Sequence, residues 1–250
     1  TNTILRGGPR WRFSRENFGF LFLGSDDRKD LRFFLGAIYS HAKQNNFSFT
    51  RFETGLTYRP TDALRISISP EFASNPNKTQ YVTQSDFNGT PRYILGTIDN
   101  KTLSASIRLN YTINPNLTIQ YYGQPFISRA NFTEFKHVTN PIADDLYDRF
   151  HQYSDNQISY DSGFYNVDED TDGNTDYSFY NPDFSYVQFR SNLVVRWEYI
   201  PGSELFLVWS QGITGLVDPM ESLTNGLDHG ILGQKPENIF LIKATYRFVL

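Results

Sequence analysis

The 250-residue chain contains no cysteine, which excludes disulfides, thiolate metal sites and cysteine nucleophiles. It has no basic excess either. Lys and Arg number 23 against 27 Asp and Glu, a net charge of −4, so nothing points to nucleic acid as a partner. No apolar run approaches the ~18 residues that a membrane-spanning helix needs. The opening TNTILRGGPRW carries neither an initiator Met nor a charged-then-apolar leader. The expectation is that a leader has been removed, or that the chain is the C-terminal part of something longer. The four histidines, His41, His137, His151 and His229, are scattered. No H-x-x-x-H pair or G-x-S-x-G elbow marks a catalytic centre, so no catalytic residue is assigned.

Aromatic rings are abundant instead. Phe (22), Tyr (16) and Trp (3) make up 16% of the chain, beside a mean hydropathy of −0.48. Transmembrane β-barrels combine these two properties, because lumen and loops are polar while aromatic girdles mark the two interfaces.

The stretch TLSASIRLNYTINPNLTIQYYGQPFI, Thr102–Ile127, alternates apolar and polar residues with a period of two, the signature of strands with one apolar face. A tight turn at Asn114–Asn116 pairs Ile113 with Leu117, Tyr111 with Ile119, Leu109 with Tyr121 and Ile107 with Gly123, which puts every apolar residue on one face. The same construction around YIPGS pairs Trp197 with Leu205, Val195 with Leu207 and Leu193 with Trp209. Around RPTDA it sets Tyr58 opposite Leu64 and Leu56 opposite Ile66. Strands are expected near 18–24, 31–42, 48–59, 63–73, 102–113, 117–130, 186–199, 203–212 and 238–250. Two weaker segments, 79–85 and 91–98, read as spanning strands or as a hairpin outside the sheet. Short turns alternate with long loops at about 131–184 and 213–237. Single-chain bacterial barrels have even strand numbers, so nine to eleven strands suggests that N-terminal strands lie outside this sequence.

The fold expected is therefore all-β: an antiparallel transmembrane β-barrel, or the C-terminal portion of a larger one, occupying residues 1–250. Its short turns would be periplasmic and its long loops extracellular. Tyr58, Tyr111, Trp197, Tyr199, Tyr246 and Phe248 fall near the short turns or the C-terminus and read as one aromatic girdle. Arg51, Glu53, Arg65, Glu71, Arg108, Arg196, Glu198, Lys243 and Arg247 face the other way and read as a lumenal polar network.

One motif has metal-ligand spacing. DEDTDGNTD places Asp168, Asp170 and Asp172 at alternate positions, followed by Gly173, Asn174 and Asp176. These are the first nine positions of a calcium loop: carboxylates converge from one, three and five, and glycine at six permits the sharp turn. Position twelve is Phe179 and not a bidentate Glu, so this is no EF-hand. The ion expected is Ca2+ in a structural role, with Asp168, Asp170, Asp172, Asn174 and Asp176 as ligands; the alternative is a solvated acidic loop. The rings of the same segment, Phe132 to Tyr180, would either bind a glycan or partner protein or pack as the loop's own core.

LRGGPRW (5–11), residues 93–129, VDEDTDGNTDYSFYNPDFSYVQFRSNLVVRWEYIPGSELFLVWSQ (167–211) and the NIFLIKATYRF ending (238–248) resemble the C-terminal barrel region of a Bacteroidota outer-membrane family of unknown function. Its members carry an N-terminal module similar to family-nine carbohydrate-binding domains. The resemblance implies that this module is absent here, and it brings no reaction and no catalytic residues. The expected setting is the bacterial outer membrane, with lipid and lipopolysaccharide as surroundings and with outer-membrane proteins or a glycan as possible partners. Binding or transport without catalysis is the expected activity. A docking subunit of a larger assembly is the alternative, and an outer-membrane hydrolase built around His151 or His229 a remote one.

Overall fold

The computed structural model describes residues 4–248. Nine long strands form a meander in which every neighbouring pair is antiparallel: β1 (Glu16–Gly24), β2 (Leu31–Ala42), β3 (Ser48–Thr61), β4 (Leu64–Ser74), β6 (Thr90–Asn114), β7 (Leu117–Val138), β12 (Phe184–Ile200), β13 (Ser203–Leu216) and β14 (Glu237–Ala244). Off this path, strand β5 (Asn77–Phe87) pairs with β6, and β8 (Phe150–Gln152) pairs with β7. A separate three-stranded sheet comprises β9 (Ile158–Asp161), β10 (Phe164–Val167) and β11 (Tyr177–Tyr180). The single α-helix among the described residues is α1 (Leu223–Leu227).

The alternation read from the sequence sets the register. Ile107 faces Gly123, Leu109 faces Tyr121 and Tyr111 faces Ile119. At the turn itself Leu117 pairs with Asn114 and not with Ile113, because the ladder shifts by one after Thr112 and the Asn114 side chain accepts the Asn116 amide. The pairs Trp197–Leu205, Val195–Leu207 and Leu193–Trp209 all form. Around RPTDA the register differs by two residues: Tyr58 faces Ile66 and Leu56 faces Ile68. Strand β3 runs on to Thr61, which moves the turn to Asp62–Ala63, and a slip of two leaves each side chain on its face.

Residues 91–98 are continuous with 102–113 in one 25-residue strand, β6. Its upper half pairs with β5 through an Asn88–Gly89 turn, both residues having positive φ, as a two-residue hairpin of the I′ kind requires. The regular ladder of the expected strand 238–250 ends at Ala244; Thr245 still exchanges both backbone hydrogen bonds with Glu204, next to the start of β13 at Ser203. Leu250, its expected last residue, lies outside the described residues. The sheet is also not closed: among the described residues β1 and β14 have one neighbour each and do not pair with one another. What is present is an open antiparallel sheet rather than a complete barrel.

Packing is concentrated at one end. The upper halves of β6 and β7 support two cores, one built on Ile94, Ile98, Phe132, Phe135, Tyr153, Val167, Tyr177 and Phe179, the other on Leu5, Trp11, Leu95, Leu146 and Phe150. This end is called the cap. Gly96 sits where a Cβ would come within 3.0 Å of the Phe132 ring and 3.2 Å of Phe135, so a glycine lets the two rings close over the strand. Helix α1 and the turn after it cover the top of the apolar face, with Gly226 against Ile127 and Gly230 against Val187. Below that level the apolar face is bare. Leu56, Tyr58, Ile66, Ile68, Tyr111, Trp197, Leu207, Trp209, Phe240 and Ile242 are all exposed, and Leu109 and Tyr121 are half-buried rather than enclosed.

Candidate functional site: a polar sheet face and its cap

Following the pairing across the sheet separates two faces. Tyr58, Leu109, Tyr121, Leu193, Trp209 and Phe240 lie in one cross-strand row, with Leu64, Tyr111, Ile119, Val195, Leu207 and Ile242 in the next. The opposite face carries Arg51, Glu53, Arg65, Glu71, Arg108, Arg196, Glu198 and Lys243, interspersed with Ser, Thr, Asn and Gln. The girdle residues Tyr58, Tyr111, Trp197, Tyr199, Tyr246 and Phe248 are exposed at the lower end. Trp197 and Tyr199 meet edge to face at 6.0 Å, and Tyr246 meets Phe248 at 4.8 Å.

The charges of the polar face divide into local groups rather than forming one network. Arg51 pairs with Glu53 at 3.2 Å, and Glu71 stands directly across from Glu53. Lower down, Arg196 lies 3.5 Å from Glu198 and bonds Glu204. Glu204 was missed from the sequence, although alternation through the YIPGS turn sets it opposite Glu198. Arg108 lies over the Tyr122 ring at 4.8 Å and Lys243 near Phe206 at 5.8 Å. Arg65 makes no ion pair among the described residues. Arg247 falls past the ladder, where its amide bonds Ser203 Oγ.

In the cap, the aspartate-rich segment is the connection between β10 and β11. Asp168, Asp170 and Asp176 bring one carboxylate oxygen each to within 4.8 Å of one another. Asp172 does not join them. The Asp172 side chain instead accepts the Asn174 amide, while Asp168 accepts the amides of Asp172 and Gly173. Gly173 has φ +93°, the turn that the motif's glycine supplies. Partial desolvation and the charges of Asp172, Asp176 and Asp168 raise the Asp170 carboxyl above its usual range, the direction that a cation would reverse.

Glu169, inside the same motif, turns the other way and anchors the loop. Its carboxylate accepts Arg92 Nε at 2.9 and 3.0 Å, pairs with Arg92 Nη2 at 2.8 Å, and accepts the Tyr177 hydroxyl at 2.6 Å. Tyr177 in turn meets the Tyr153 hydroxyl at 2.8 Å. His137 Nε2 lies 3.9 Å away, and its Nδ1 is buried without a partner among the described residues. Burial alone would raise the Glu169 carboxyl, but the bonds from Arg92 and Tyr177 and the nearby positive groups hold it below its usual value. Burial pushes His137 down and both Tyr153 and Tyr177 up. Sequence reading did not single out Glu169, whose only signal was its place between the alternating aspartates Asp168 and Asp170. The rings expected either to bind or to pack divide: Phe132, Phe135, Tyr153, Tyr177 and Phe179 are buried in the cap, whereas Tyr160 and Tyr180 are exposed. His151 Nε2 bonds the Gln157 side chain at 3.1 Å, and His229 Nδ1 lies 3.4 Å from Glu221.

A family model described as a domain of unknown function (DUF5916) matches residues 8–249. The chain belongs to that family. No curated protein and no solved structure matches it. The DUF5916 match agrees with the expected kind of family, one without an assigned function; it carries no source organism and no carbohydrate-binding module. Its range takes in the meander, the cap and the aspartate-rich loop together, so the polar face and the cap belong to one family unit.

Proposed function

We propose that this DUF5916 domain is part of a bacterial outer-membrane β-barrel that works by binding or transport, without catalysis. One observation carries the reading: a nine-stranded sheet leaves a continuous apolar face exposed over its lower half, while the opposite face is polar. Monomeric soluble proteins rarely expose apolar patches beyond a few hundred Å². Lipid accounts for the inversion. From Leu103 to Ile113 the apolar side of β6 makes ten residue steps, and at about 3.3 Å per step and ~40° tilt this rises roughly 25 Å, the height of an outer-membrane apolar band. Exposed rings near the short turns fit the lower interface. The cap would then stand outside the membrane, in contact with lipopolysaccharide at its margin.

The polar face would line the lumen. Its charges of both signs, gathered in the Arg51–Glu53 and Arg196–Glu204 groups, suit a channel of weak charge selectivity for small, glycan-related solutes. The exposed rings Tyr160 and Tyr180 offer such a solute a first contact. In the cap, Asp168, Asp170 and Asp176 would hold a calcium ion that rigidifies the loop, with a dissociation constant of roughly 10⁻⁴–10⁻³ M, the extracellular range. Planar-bilayer conductance tests the transport reading. Discrete conductance steps support it; an inserted but silent protein that co-purifies with other outer-membrane proteins favours the docking-subunit role.

A further inference from the structure

The polar face changes character at its β1–β2 end. Phe18, Phe20 and Phe22 of β1 stand opposite Ser40, Ile38 and Gly36, which puts them on the same side as Arg51 and Glu53. Their rings follow one another at 5.9 and 5.6 Å, and Phe22 stacks on Phe34 of β2 at 5.9 Å. The four are 64%, 66%, 45% and 39% exposed. Strand pairing does not demand apolar residues here, since β3, β4 and β6 carry Arg51, Glu53, Glu71 and Ser104 on the same side. Phenylalanine also lacks the polar tip that suits Tyr and Trp to a membrane interface. The result is a ladder of ring faces that descends the inner wall from the cap side.

At its lower end the ladder meets a hollow of about 300 Å³ lined by Phe34, Glu53, Glu71, Ser104, Ser106 and Gln124, at the lower end of ligand-sized cavities. Gly36 joins ladder and hollow. A Cβ there would lie 2.9 Å from the Phe22 ring and 2.7 Å from the Glu53 side chain, so glycine lets a ring and a carboxylate close over β2 from either side. Glu53 also pairs with Arg51 at 3.2 Å, and 24% and 33% of their side chains are exposed. A solute in the hollow therefore meets ring faces, carboxylate acceptors and guanidinium donors together.

That mixture selects the occupant. An acyl chain would match the rings but leave two carboxylates and a guanidinium desolvated without partners. An anion would be repelled by Glu53 and Glu71, which face each other. A small cation would leave most of the row of rings uncontacted. A neutral sugar uses every group: its C–H faces cover phenylalanine rings, and its hydroxyls donate to carboxylates and accept from guanidinium, serine and amide groups. We infer that the hollow beside Phe34 binds one unit of a neutral oligosaccharide, and that Phe22, Phe20 and Phe18 stack the following units toward the cap. The inference deepens the proposed function and rests on its reading of the polar face as a lumen wall.

The test is calorimetric titration of the full polypeptide in lipid nanodiscs with neutral maltohexaose, anionic hexagalacturonate, cationic hexameric chitosan and the short sugar maltose. Maltohexaose should bind tightest of the hexamers, and about tenfold or more tighter than maltose, because more units reach the ladder. Phe20→Leu and Phe34→Leu keep an apolar side chain but remove a ring, and each should weaken maltohexaose about tenfold, the scale of one lost stacking contact. Leu21→Ala, one residue along on the apolar side, should leave the affinity unchanged. No binding of maltohexaose, tighter binding of a charged hexamer, equal affinity for maltose, or Phe variants that bind as tightly as the parent would each overturn the inference; current steps from the same protein in a planar bilayer would still uphold transport. Binding as expected by a protein that passes no current keeps the inference and removes the transport reading. A polypeptide that never enters the nanodisc overturns the lumen, and this inference with it.

Discussion

Replacing Glu169 with Ala should unlock the cap while leaving the meander in place. The Glu169 side chain is 11% exposed and that of Arg92 20%, so the pair is largely desolvated. The substitution removes the Arg92 ion pair and the bond from the Tyr177 hydroxyl and leaves a guanidinium buried without its counter-charge. Breaking a buried pair from one side costs about 3–5 kcal/mol, or roughly two to three and a half decades in the local opening equilibrium. Amide hydrogen exchange over residues 150–180 reads that change directly, because these amides open with the cap. Exchange in β3 and β4 should not move, since neither strand touches the Glu169 cluster. Glu169→Gln keeps an acceptor for Tyr177 and should lose about half as much. Acid should act in the same direction. The folded carboxyl is held low, so its contribution is present above about pH 4.3 and is lost as pH falls through the folded value. Burial holds the His137 imidazole below its usual 6.5, so protonation favours the open cap as soon as pH drops below that value. Cap opening, read as exchange corrected for the intrinsic amide rate, should therefore increase from about pH 6.5 downward, and His137→Gln should flatten the upper part of that rise. Unchanged exchange in Glu169→Ala, or a uniform acceleration that includes β3 and β4, would refute the anchoring role.

Lys136 is buried, and desolvation brings its ammonium down to about 8. The fold disfavours its charged form, so cap stability should rise by up to about 3 kcal/mol between pH 7 and pH 10, and Lys136→Met should abolish that dependence in the same exchange assay. Calcium should quench proteolysis of the cap with a midpoint of roughly 10⁻⁴–10⁻³ M; Asp170→Asn should shift the midpoint at least tenfold, and Asp172→Asn should shift it less, since Asp172 does not converge with the others. Arginine on the two faces should act unequally: Leu109→Arg, on the apolar side, should cost about 2–4 kcal/mol in lipid, whereas Gln120→Arg, on the polar side, should stay within ±0.5 kcal/mol, both measured by urea unfolding in vesicles.

The meander was legible because strand alternation fixes faces without reference to distant parts of the chain. Every expected long strand appears, though several end elsewhere than expected, and the two register errors are a slip of two at RPTDA, which alternation cannot detect, and a shift of one at the Asn114–Asn116 turn. The small strands β8–β11 were not legible, because a four-residue segment such as ISYD carries too few periods to separate strand from loop. The aspartate motif was visible as spacing, yet spacing counts ligands only along the chain. Asp172 turns back to the Asn174 amide, and Glu169 finds Arg92 seventy-seven residues away. The division of the polar-face charges into separate groups depends on pairing across strands, which places Glu204 beside Arg196.

The exposed apolar face is the centre of the account, and tryptophan reports on it. Trp197 and Trp209 lie on that face, 49% and 37% exposed, whereas Trp11 is 3% exposed inside the cap. In vesicles made from lipids with brominated acyl chains, a variant retaining only Trp209 should lose most of its fluorescence relative to ordinary lipid. A variant retaining only Trp11 should be unaffected. Equal fluorescence of the Trp209 variant in both lipids would contradict the membrane reading and require a protein cover for that face.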